Sequence, residues 1–374
     1  MTDVVASDRP GSVGELRTPV PRPSIGFGLD RELESYRREL TGFCYRMLGS
    51  PHEAEDAVQD TFLRAWRSFD TFDGRAPLRS WLYRIAANVC MTMLDGRRRR
   101  ALPMDLGSSS SPTGTLGVPL VDSVWIQPIA DDRVLGAGDP AELAVARETI
   151  RLAFVAALQH LPPRQRAVLI LRDVLRWKSV EVAGLLDASV VSVNGLLRRA
   201  RATLASRDLT ASVAAPASER DRELLARYVD AFERFDVDAL VSLLRDDAVL
   251  SMPPYSLWLQ GRAAARDWLL ANASTCGDVL LVPVAANGSA AFAVYKPAGR
   301  AGLEAYSLQV LEVSQSGISA IHTFLDPGLF ELFDLAPALP QRPRTRAHKP
   351  HPQPERPTAL RSPSDLNVAQ GRQL

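Results

Sequence analysis

The sequence predicts a multidomain protein in which two all-α modules precede a C-terminal α+β domain. Two segments, residues 30–104 and 141–208, repeat apolar residues at the three-to-four spacing of amphipathic helices. Between them, residues 105–140 are rich in Ser, Gly and Pro, a composition typical of a flexible linker. From residue 218 to 335, a helical pair is followed by short alternating runs bounded by Gly, Asn or Pro, which indicates an antiparallel sheet.

The composition is that of a globular protein without a membrane segment. The 374 residues include 46% hydrophobic side chains, and the formal net charge is +1. No apolar run approaches the roughly 20 residues that span a bilayer, so we predict a cytoplasmic protein with no membrane partner. Cys44, Cys90 and Cys276 lack metal-ligand spacing and are predicted to be buried free thiols. We expect neither a metal site nor a cofactor.

Both ends of the chain are predicted to be disordered. Residues 1–29 form a leader that is rich in Pro, Gly and Ser and has no periodicity. Residues 336–374 form a tail rich in Pro and Arg. Segments of such composition bury too little apolar surface to offset the conformational entropy that ordering removes.

The second helical segment contains a pattern typical of a helix-turn-helix. Apolar residues occupy the positions where two crossing helices pack, and Ala183 lies where only a small side chain allows close approach. The turn has Asp187 where Gly is usual, and Asp tolerates a left-handed backbone. An exposed basic helix without function is the alternative interpretation. The predicted DNA-binding residues are Ser179, Val180, Glu181, Val182, Ala183, Gly184, Leu185, Leu186, Asp187, Ala188, Ser189, Val190, Val191, Ser192, Val193, Asn194, Gly195, Leu196, Leu197, Arg198, Arg199 and Arg201.

The first helical segment contains two further patterns suited to binding. In the segment SPHEAEDAVQDTFLRAW, acidic side chains lie on a helix whose other face is apolar. Such an acidic, partly apolar surface is suited to binding a protein partner. The predicted contacts are Asp56, Ala57, Val58, Gln59 and Asp60. Farther along, PLRSWLYRIAANVC places Trp81, Tyr83 and Arg84 together. Bases stack on aromatic rings and guanidinium groups follow phosphates, so this pattern suits single-stranded nucleic acid, although such aromatic residues also form helix cores.

These motifs, in this order, resemble those of the extracytoplasmic-function (ECF) sigma factors of bacterial RNA polymerase. The resemblance covers residues 36–100 and 147–207. It implies that the first module is sigma region two, whose acidic segment contacts the clamp coiled coil of the largest polymerase subunit. It further implies that this module melts the minus-ten element of the promoter and captures its single strand. The residues implied in melting are Arg79, Trp81, Tyr83, Arg84 and Asn88.

The same resemblance implies that the second module is sigma region four. That region reads the double-stranded minus-thirty-five element and touches the polymerase flap. The family usually carries Thr, Lys or Ser where this chain has Ser192, Asn194 and Gly195. The base preference of the family is therefore not carried over to this chain.

Residues 218–335 resemble the SnoaL-like fold that is fused to a subset of these sigma factors. The resemblance implies a cone-shaped α+β barrel around an apolar cavity, with Tyr255, Trp258, His322 and Asp326 as candidate cavity residues. His322 and Asp326 lie four residues apart in a predicted strand, too far for direct contact, so structural roles are favoured over acid–base chemistry. In the fused subset this domain is associated with control of the sigma factor in cis, without a separate anti-sigma protein.

The predicted function is that of a sigma factor, which directs core polymerase to promoters and initiates transcription without being an enzyme itself. One alternative is a SnoaL-like enzyme that acts on a small molecule and is fused to a DNA-binding module. A second alternative is a stand-alone DNA-binding transcription regulator. The enzyme requires a converging acid and base in the cavity, and the regulator leaves the acidic and aromatic segments without a purpose.

Overall fold

The structure analysed is a computed structural model that describes residues 25–72, 74, 76–206, 218–299 and 302–340. The predicted disordered leader, residues 1–29, and tail, residues 336–374, lie largely outside the described residues. Where they overlap, the structure differs from the prediction. Helix α1 (Ile25–Ser35) begins within the predicted leader and buries Leu29 and Leu33, and strand β7 (Ala338–Leu339) lies within the predicted tail. Tertiary packing and strand pairing, which composition does not reveal, order both pieces.

Region two is a bundle of α1, α2 (Arg37–Leu48), α3 (Pro51–Ser68) and α4 (Leu78–Leu94). Helix α2 ends at Gly49, which adopts a left-handed conformation with φ of 74°, and the hydroxyl of Ser50 accepts a hydrogen bond at the start of α3. In the core, the rings of Phe43 and Tyr83 meet edge to face with centroids 5.3 Å apart. The helical prediction for this module agrees with the structure.

The segment predicted as a flexible linker, residues 105–140, is packed over part of its length. Trp125, Ile126 and Ile129 are buried, and short 3₁₀ turns at Asp122–Val124 and Asp131–Arg133 flank them. The composition of the whole segment hid this apolar run, WIQPIA, because Ser, Gly and Pro dominate its first half. The second half of the segment is therefore part of the hydrophobic core rather than a free connection.

Region four contains five helices and one π-helical turn. They are α5 (Pro140–Glu148), α6 (Leu152–Gln159), α7 (Pro163–Leu169) with its π-helical continuation (Ile170–Val174), α8 (Ser179–Leu185) and α9 (Val190–Ala205). Asp187, between α8 and α9, has φ of 51°, the left-handed conformation that the sequence indicated. Val182 and Val193 are fully buried, so the two helices of the predicted motif pack as expected. No single described helix is both long and apolar enough to span a membrane; the bent pair α8 and α9 meets only the length and composition criteria.

The C-terminal domain is α+β, as predicted. Its elements are α10 (Glu219–Glu233), α11 (Val237–Ser242), β1 (Leu244–Ser251), β2 (Trp258–Gln260), α12 (Arg262–Ala271), α13 (Ala273–Cys276), β3 (Leu280–Ala286), β4 (Ser289–Pro297), β5 (Leu303–Ser314), β6 (Gly317–Phe324), α14 (Leu329–Leu332) and β7. The strand order is β2-β1-β6-β5-β4-β3, with β7 paired to β5. Only β1 and β6 pair in parallel among the described strands.

The two faces of this sheet belong to different hydrophobic cores. One face, with Phe292 and Val294, packs on helices α10 to α12. The other, with Ala293 and Leu308, is continuous with the core shared by regions two and four. The alternation of side chains along β4 produces this division. The C-terminal domain is thus packed against both helical modules along one side of its sheet.

Candidate polymerase and promoter interfaces

The predicted polymerase-binding segment of α3 divides into exposed and buried residues. Asp56 and Gln59 are exposed, and Asp60 forms an ion pair with Arg64 at 2.8 Å. Ala57 and Val58 are fully buried, which differs from their predicted role as contacts, because they lie on the core side of the same helix turn.

Two apolar side chains extend the exposed face of α3. Leu63 is 48% exposed and Trp66 is 59% exposed. They follow Asp56 and Gln59 at helical spacing, so the four residues form one stripe along the helix. An exposed stripe that is acidic at one end and apolar at the other has the composition of a protein-binding surface.

The residues predicted to melt DNA fall into two groups on α4. Arg84 and Asn88 are exposed, and Trp81 is half-buried with its ring centroid 4.9 Å from that of Phe72. Tyr83 is fully buried, and burial raises the pKa of its hydroxyl. Of these four residues, only Trp81, Arg84 and Asn88 are accessible to a DNA strand in this arrangement.

Tyr83 is one of three stacked side chains, and one of the other two comes from region four. Trp177, which precedes α8 in region four, has its ring centroid 5.0 Å from that of Tyr83. The guanidinium of Arg79 lies 5.3 Å from the Tyr83 centroid and 5.2 Å from the Trp177 centroid, and it donates to Glu39 at 3.0 Å. A cation held between two rings and a carboxylate is well stabilised. Region four therefore covers Tyr83, whereas the Arg79 side chain that it contacts remains 40% exposed.

The helix-turn-helix presents its basic residues in two different states. Arg198 and Arg199 are exposed on α9. Arg201 instead donates two hydrogen bonds to the carboxylate of Asp173, at 2.9 and 2.7 Å. Asn194, which was expected to face a base edge, accepts a hydrogen bond at 2.9 Å from the hydroxyl of Ser179 on α8. Arg201 remains 60% exposed, so its ion pair lowers the net positive charge near α9 and not the exposed surface.

Two buried arginines join regions two and four. Arg46 of α2 donates to the backbone oxygen of Thr149 at 3.1 Å and to its hydroxyl at 2.8 Å. Arg166 of α7 donates to the backbone oxygen of Met47 and to the side chain of Gln159. Burial lowers the pKa of each guanidinium to about 10. Their hydrogen bonds to neutral acceptors offset part of the cost of removing the charges from water.

One residue of the C-terminal domain, Asn287, contacts all three other parts of the molecule. Its amide nitrogen donates at 2.7 Å to the hydroxyl of Tyr45 in region two and at 2.7 Å to the backbone oxygen of Ile150 ahead of α6. Its amide oxygen accepts from the backbone nitrogen of Ile129 in the packed linker at 3.0 Å. Asn287 is fully buried. The sequence did not point to this residue, and its one local signal is the Asn287–Gly288 pair that is typical of a tight hairpin turn.

The hairpin tip fits closely against region four. Gly288 has φ of 65°, and a Cβ atom there would lie 2.7 Å from the backbone oxygen of Arg147. Its backbone nitrogen donates to the carboxylate of Asp131 at 2.7 Å. Burial raises the pKa of Asp131. We refer to Asn287, Gly288 and their partners Tyr45, Ile129, Asp131, Arg147 and Ile150 as the hairpin junction.

None of the four predicted cavity residues lines the apolar cavity of the C-terminal domain. Ile321 and Thr323 of β6 face the cavity, so His322 between them points to the opposite side of the sheet. There its Nδ1 lies 2.8 Å from the hydroxyl of Ser251, and burial lowers its pKa. Asp326 accepts a hydrogen bond from the backbone nitrogen of Gly328 at 2.9 Å. Both residues therefore have structural contacts, as the sequence analysis favoured.

The other two predicted cavity residues lie near the loop that precedes β2. Tyr255 packs at the edge of the domain's own core. The indole nitrogen of Trp258 donates at 3.0 Å to the backbone oxygen of Gly107 in the first half of the linker. Cys44 and Cys90 are buried free thiols and Cys276 is half-buried. Among the described residues, no group of acidic, His and Cys side chains is arranged to hold a metal ion.

Comparison with known proteins identifies the family. Residues 33–100 match the model of Sigma-70 region 2, residues 151–204 match Sigma-70, region 4, and residues 225–319 match the SnoaL-like domain. The chain is 48% identical over 311 residues to the ECF RNA polymerase sigma factor SigG of Mycobacterium tuberculosis, covering 82% of this chain and 83% of that protein. The chain belongs to the ECF RNA polymerase sigma factors. As a sigma factor it binds core RNA polymerase and promoter DNA and initiates transcription.

Two further relatives match this sigma factor over different shares of its length. The ECF RNA polymerase sigma factor SigW of Bacillus subtilis is 31% identical over 172 residues, which cover 46% of this chain and 84% of SigW. The crystal structure of the Mycobacterium tuberculosis extracytoplasmic function sigma factor SigJ aligns with 82% of this chain and all of that one, with a TM-score of 0.51 at 21% identity. The second comparison shows a common fold.

Proposed function

We propose that this sigma factor exists in a closed state, in which its C-terminal domain holds regions two and four together and keeps promoter-melting residues covered. The observation that carries the proposal is the set of hydrogen bonds from Asn287 to Tyr45, Ile129 and Ile150. One buried side chain supplies partners to region two, the linker and region four at the same time. Separating these parts exchanges the hydrogen bonds of Asn287 for hydrogen bonds to water, at a net cost of about 0.5 to 1.5 kcal/mol each.

The covered residues give the closed state its functional consequence. Arg79 and Tyr83 contact Trp177 of region four, so a single DNA strand reaches the buried ring of Tyr83 and the face of the Arg79 guanidinium against Trp177 only after region four has moved away. In the open state, we assign single-strand capture to these two residues with Trp81, Arg84 and Asn88. Rings that stack bases and guanidinium groups that follow phosphates support this assignment.

We assign polymerase binding to the exposed stripe of α3, formed by Asp56, Gln59, Leu63 and Trp66, with Asp60 at its edge. Its support is the exposure of two acidic or amide side chains next to two large apolar ones. Recognition of the upstream promoter element is assigned to α9, with Arg198 and Arg199 at phosphates and Ser192 and Asn194 nearest the bases. The clamp coiled coil and the flap of the polymerase remain the proposed partners of α3 and region four.

The closed state is tested by Asn287→Gly. Glycine retains the left-handed backbone at this position, where φ is 54°, so the variant removes only the side-chain hydrogen bonds. We expect a larger radius of gyration in small-angle X-ray scattering and promoter-directed transcription with core polymerase at lower sigma concentration. Asn272→Gly is the matched control, because the side chain of Asn272 bonds only to Trp268 of its own domain. Equal scattering and transcription for Asn287→Gly and the unaltered chain would contradict the proposal.

A further inference from the structure

The apolar cavity of the C-terminal domain has the features of a ligand site. It has a volume of about 120 Å³ and lies between the sheet and helices α10 to α13. Its walls are mostly large apolar side chains, including Leu250, Met252, Trp268 and Leu269. Among the described residues that line it there is neither a carboxylate nor a histidine. A pocket of this kind binds apolar molecules.

A residue of the linker between regions two and four lines this cavity. Leu116 contacts the cavity and packs on the core of the C-terminal domain, although it comes from a different part of the chain. The next two valines of the linker point into solvent, with Val118 82% exposed and Val121 69% exposed. Leu116 therefore packs specifically in the cavity, whereas the two valines after it do not pack on the protein surface.

Backbone hydrogen bonds fix the linker on both sides of Leu116. The backbone nitrogen of Ser110 donates to the oxygen of Trp258 at 2.7 Å, and that of Leu120 donates to the oxygen of Pro254 at 2.8 Å. With the indole bond from Trp258 to Gly107, these contacts fix the linker to the C-terminal domain. Displacement of Leu116 would strain or break the backbone bonds of Ser110 and Leu120, which lie six and four residues from it.

One charged side chain lines the cavity among the described residues, and it is a cation. The ammonium group of Lys296 lies 3.4 Å from the ring centroid of Tyr306 and donates to the backbone oxygen of Thr275. Burial lowers the pKa of Lys296. The ring of Tyr306 and the backbone oxygen of Thr275 are both neutral, so an anionic oxygen from a ligand would be a favourable further partner for the ammonium group.

The size of the cavity sets a condition on its ligand. An apolar cavity of about 150 Å³ holds benzene, and ordinary ligand sites range from about 300 Å³ upwards. At about 120 Å³, the cavity with Leu116 in place has room for only a very small group. A ligand of ordinary size therefore needs the volume that Leu116 occupies.

We propose that the cavity binds a small apolar molecule with one anionic oxygen group, of the medium-chain carboxylate class, in competition with Leu116. The carboxylate pairs with Lys296 and the apolar chain takes the place of the leucine side chain. Binding releases the linker from the C-terminal domain. This inference rests on the proposed closed state only for its effect on transcription, since the linker then becomes free to move as regions two and four separate.

Decanoate titrated into the full-length chain tests the site, with decanol as the uncharged comparison. We expect saturable decanoate binding by calorimetry. Leu116→Ala should tighten it by about tenfold, because an apolar competitor is removed, and Val118→Ala should leave it unchanged. Lys296→Met should weaken decanoate binding by about tenfold or more while leaving decanol binding unchanged. Lys296→Gln serves the same purpose should the methionine variant fold poorly.

Hydrogen exchange at two amides tests release of the linker. Decanoate should accelerate exchange at the amides of Ser110 and Leu120, which the closed linker protects, and Leu116→Ala should accelerate it without ligand. If decanoate binds saturably neither to the unaltered chain nor to Leu116→Ala, the proposed site is wrong. Binding that is unaffected by Lys296→Met and Lys296→Gln overturns the anionic class, and binding without faster exchange overturns the competition. These readouts do not involve transcription, so they stand or fall separately from the test of Asn287.

Discussion

At the scale of single residues, the molecule uses buried polar side chains to join parts that are distant in sequence. Asn287 reaches Tyr45 and Ile150, and Arg46 reaches Thr149. Each of these side chains is buried, so each depends on its partners for hydrogen bonds that water no longer provides. Such contacts contribute modestly when they are made, but leaving them unmade is costly. They therefore favour one arrangement of the parts over many similar ones.

The buried histidine of β6 gives the C-terminal domain a dependence on pH. Burial lowers the pKa of His322 below the value of about 6.5 that it has in the unfolded chain. Between these two pKa values the unfolded chain binds more protons, so the folded state loses stability as the pH falls below about 6.5. The loss is at most about 1.4 kcal/mol for each pH unit.

His322→Gln should reduce this dependence, because glutamine can keep a hydrogen bond to Ser251 and does not titrate. We expect urea unfolding to show a smaller loss of stability between pH 7.5 and pH 5 than in the unaltered chain, by at most about 2 kcal/mol. The exposed His52 provides the control variant, His52→Gln. Equal pH dependence of unfolding in His322→Gln and the unaltered chain would show that His322 does not cause the effect.

At the scale of elements, the helices were predicted from local pattern and their contacts were not. The periodicity of α8 and α9 and the left-handed Asp187 follow from neighbouring residues, so the helix-turn-helix was predictable. The resemblance placed Ala57 and Val58 in an interface, whereas the face of α3 that carries them is buried. Which face a helix buries depends on the elements around it, and a motif quoted as a continuous string does not separate the faces.

The C-terminal sheet likewise has contacts that local sequence patterns do not predict. Alternation along β6 correctly separates His322 from its neighbours, but which side encloses the cavity depends on how the helices cover the sheet. The hairpin junction is beyond local reasoning, because Asn287 meets residues 137 to 242 positions away. Its Asn-Gly turn was visible in the sequence, and the partners of its side chain were not.

An ion pair with the π-helical turn after α7 limits the charge of the recognition helix. Arg198, Arg199 and Arg201 are all exposed, but Arg201 is paired with Asp173. We expect Arg198→Ala and Arg199→Ala each to weaken binding on all duplex sequences and to lower the salt slope by about 0.9. Asp173→Asn should strengthen binding on all sequences, because it releases Arg201 for phosphate.

The measurement is fluorescence anisotropy on promoter and unrelated duplexes over a salt series. Arg201→Ala is the matched control: it should cost little in the unaltered chain and more in the Asp173→Asn background, since only there is the guanidinium free. A loss for Arg201→Ala as large as that for Arg198→Ala in the unaltered chain would be evidence that the ion pair opens on DNA without cost.

At the scale of the whole molecule, one continuous hydrophobic core unites the helical modules with a face of the C-terminal sheet. The packed half of the linker, with Ile126 and Ile129, lies within this core. Closure therefore combines apolar burial with the hydrogen bonds of the hairpin junction. Opening exposes part of a shared core, so a partner that covers this surface favours the open state, and core polymerase with its large protein surface is suited to that role.

Truncation after Asp208 removes the C-terminal domain and tests its hold on the sigma modules. When only a fraction of molecules is open, the apparent dissociation constant for polymerase and promoter rises in inverse proportion to that fraction. A closed state favoured by about 1.4 kcal/mol thus weakens apparent affinity about tenfold, and truncation should restore it. Transcription from a target promoter, measured across sigma concentrations with purified core, should reach half its maximum at a lower concentration of the truncated chain.

Because truncation also uncovers Ile129 and other core residues, thermal unfolding of the helical modules provides the necessary control. If the truncated modules remain folded and their concentration dependence matches that of the full chain, the C-terminal domain does not hold them closed.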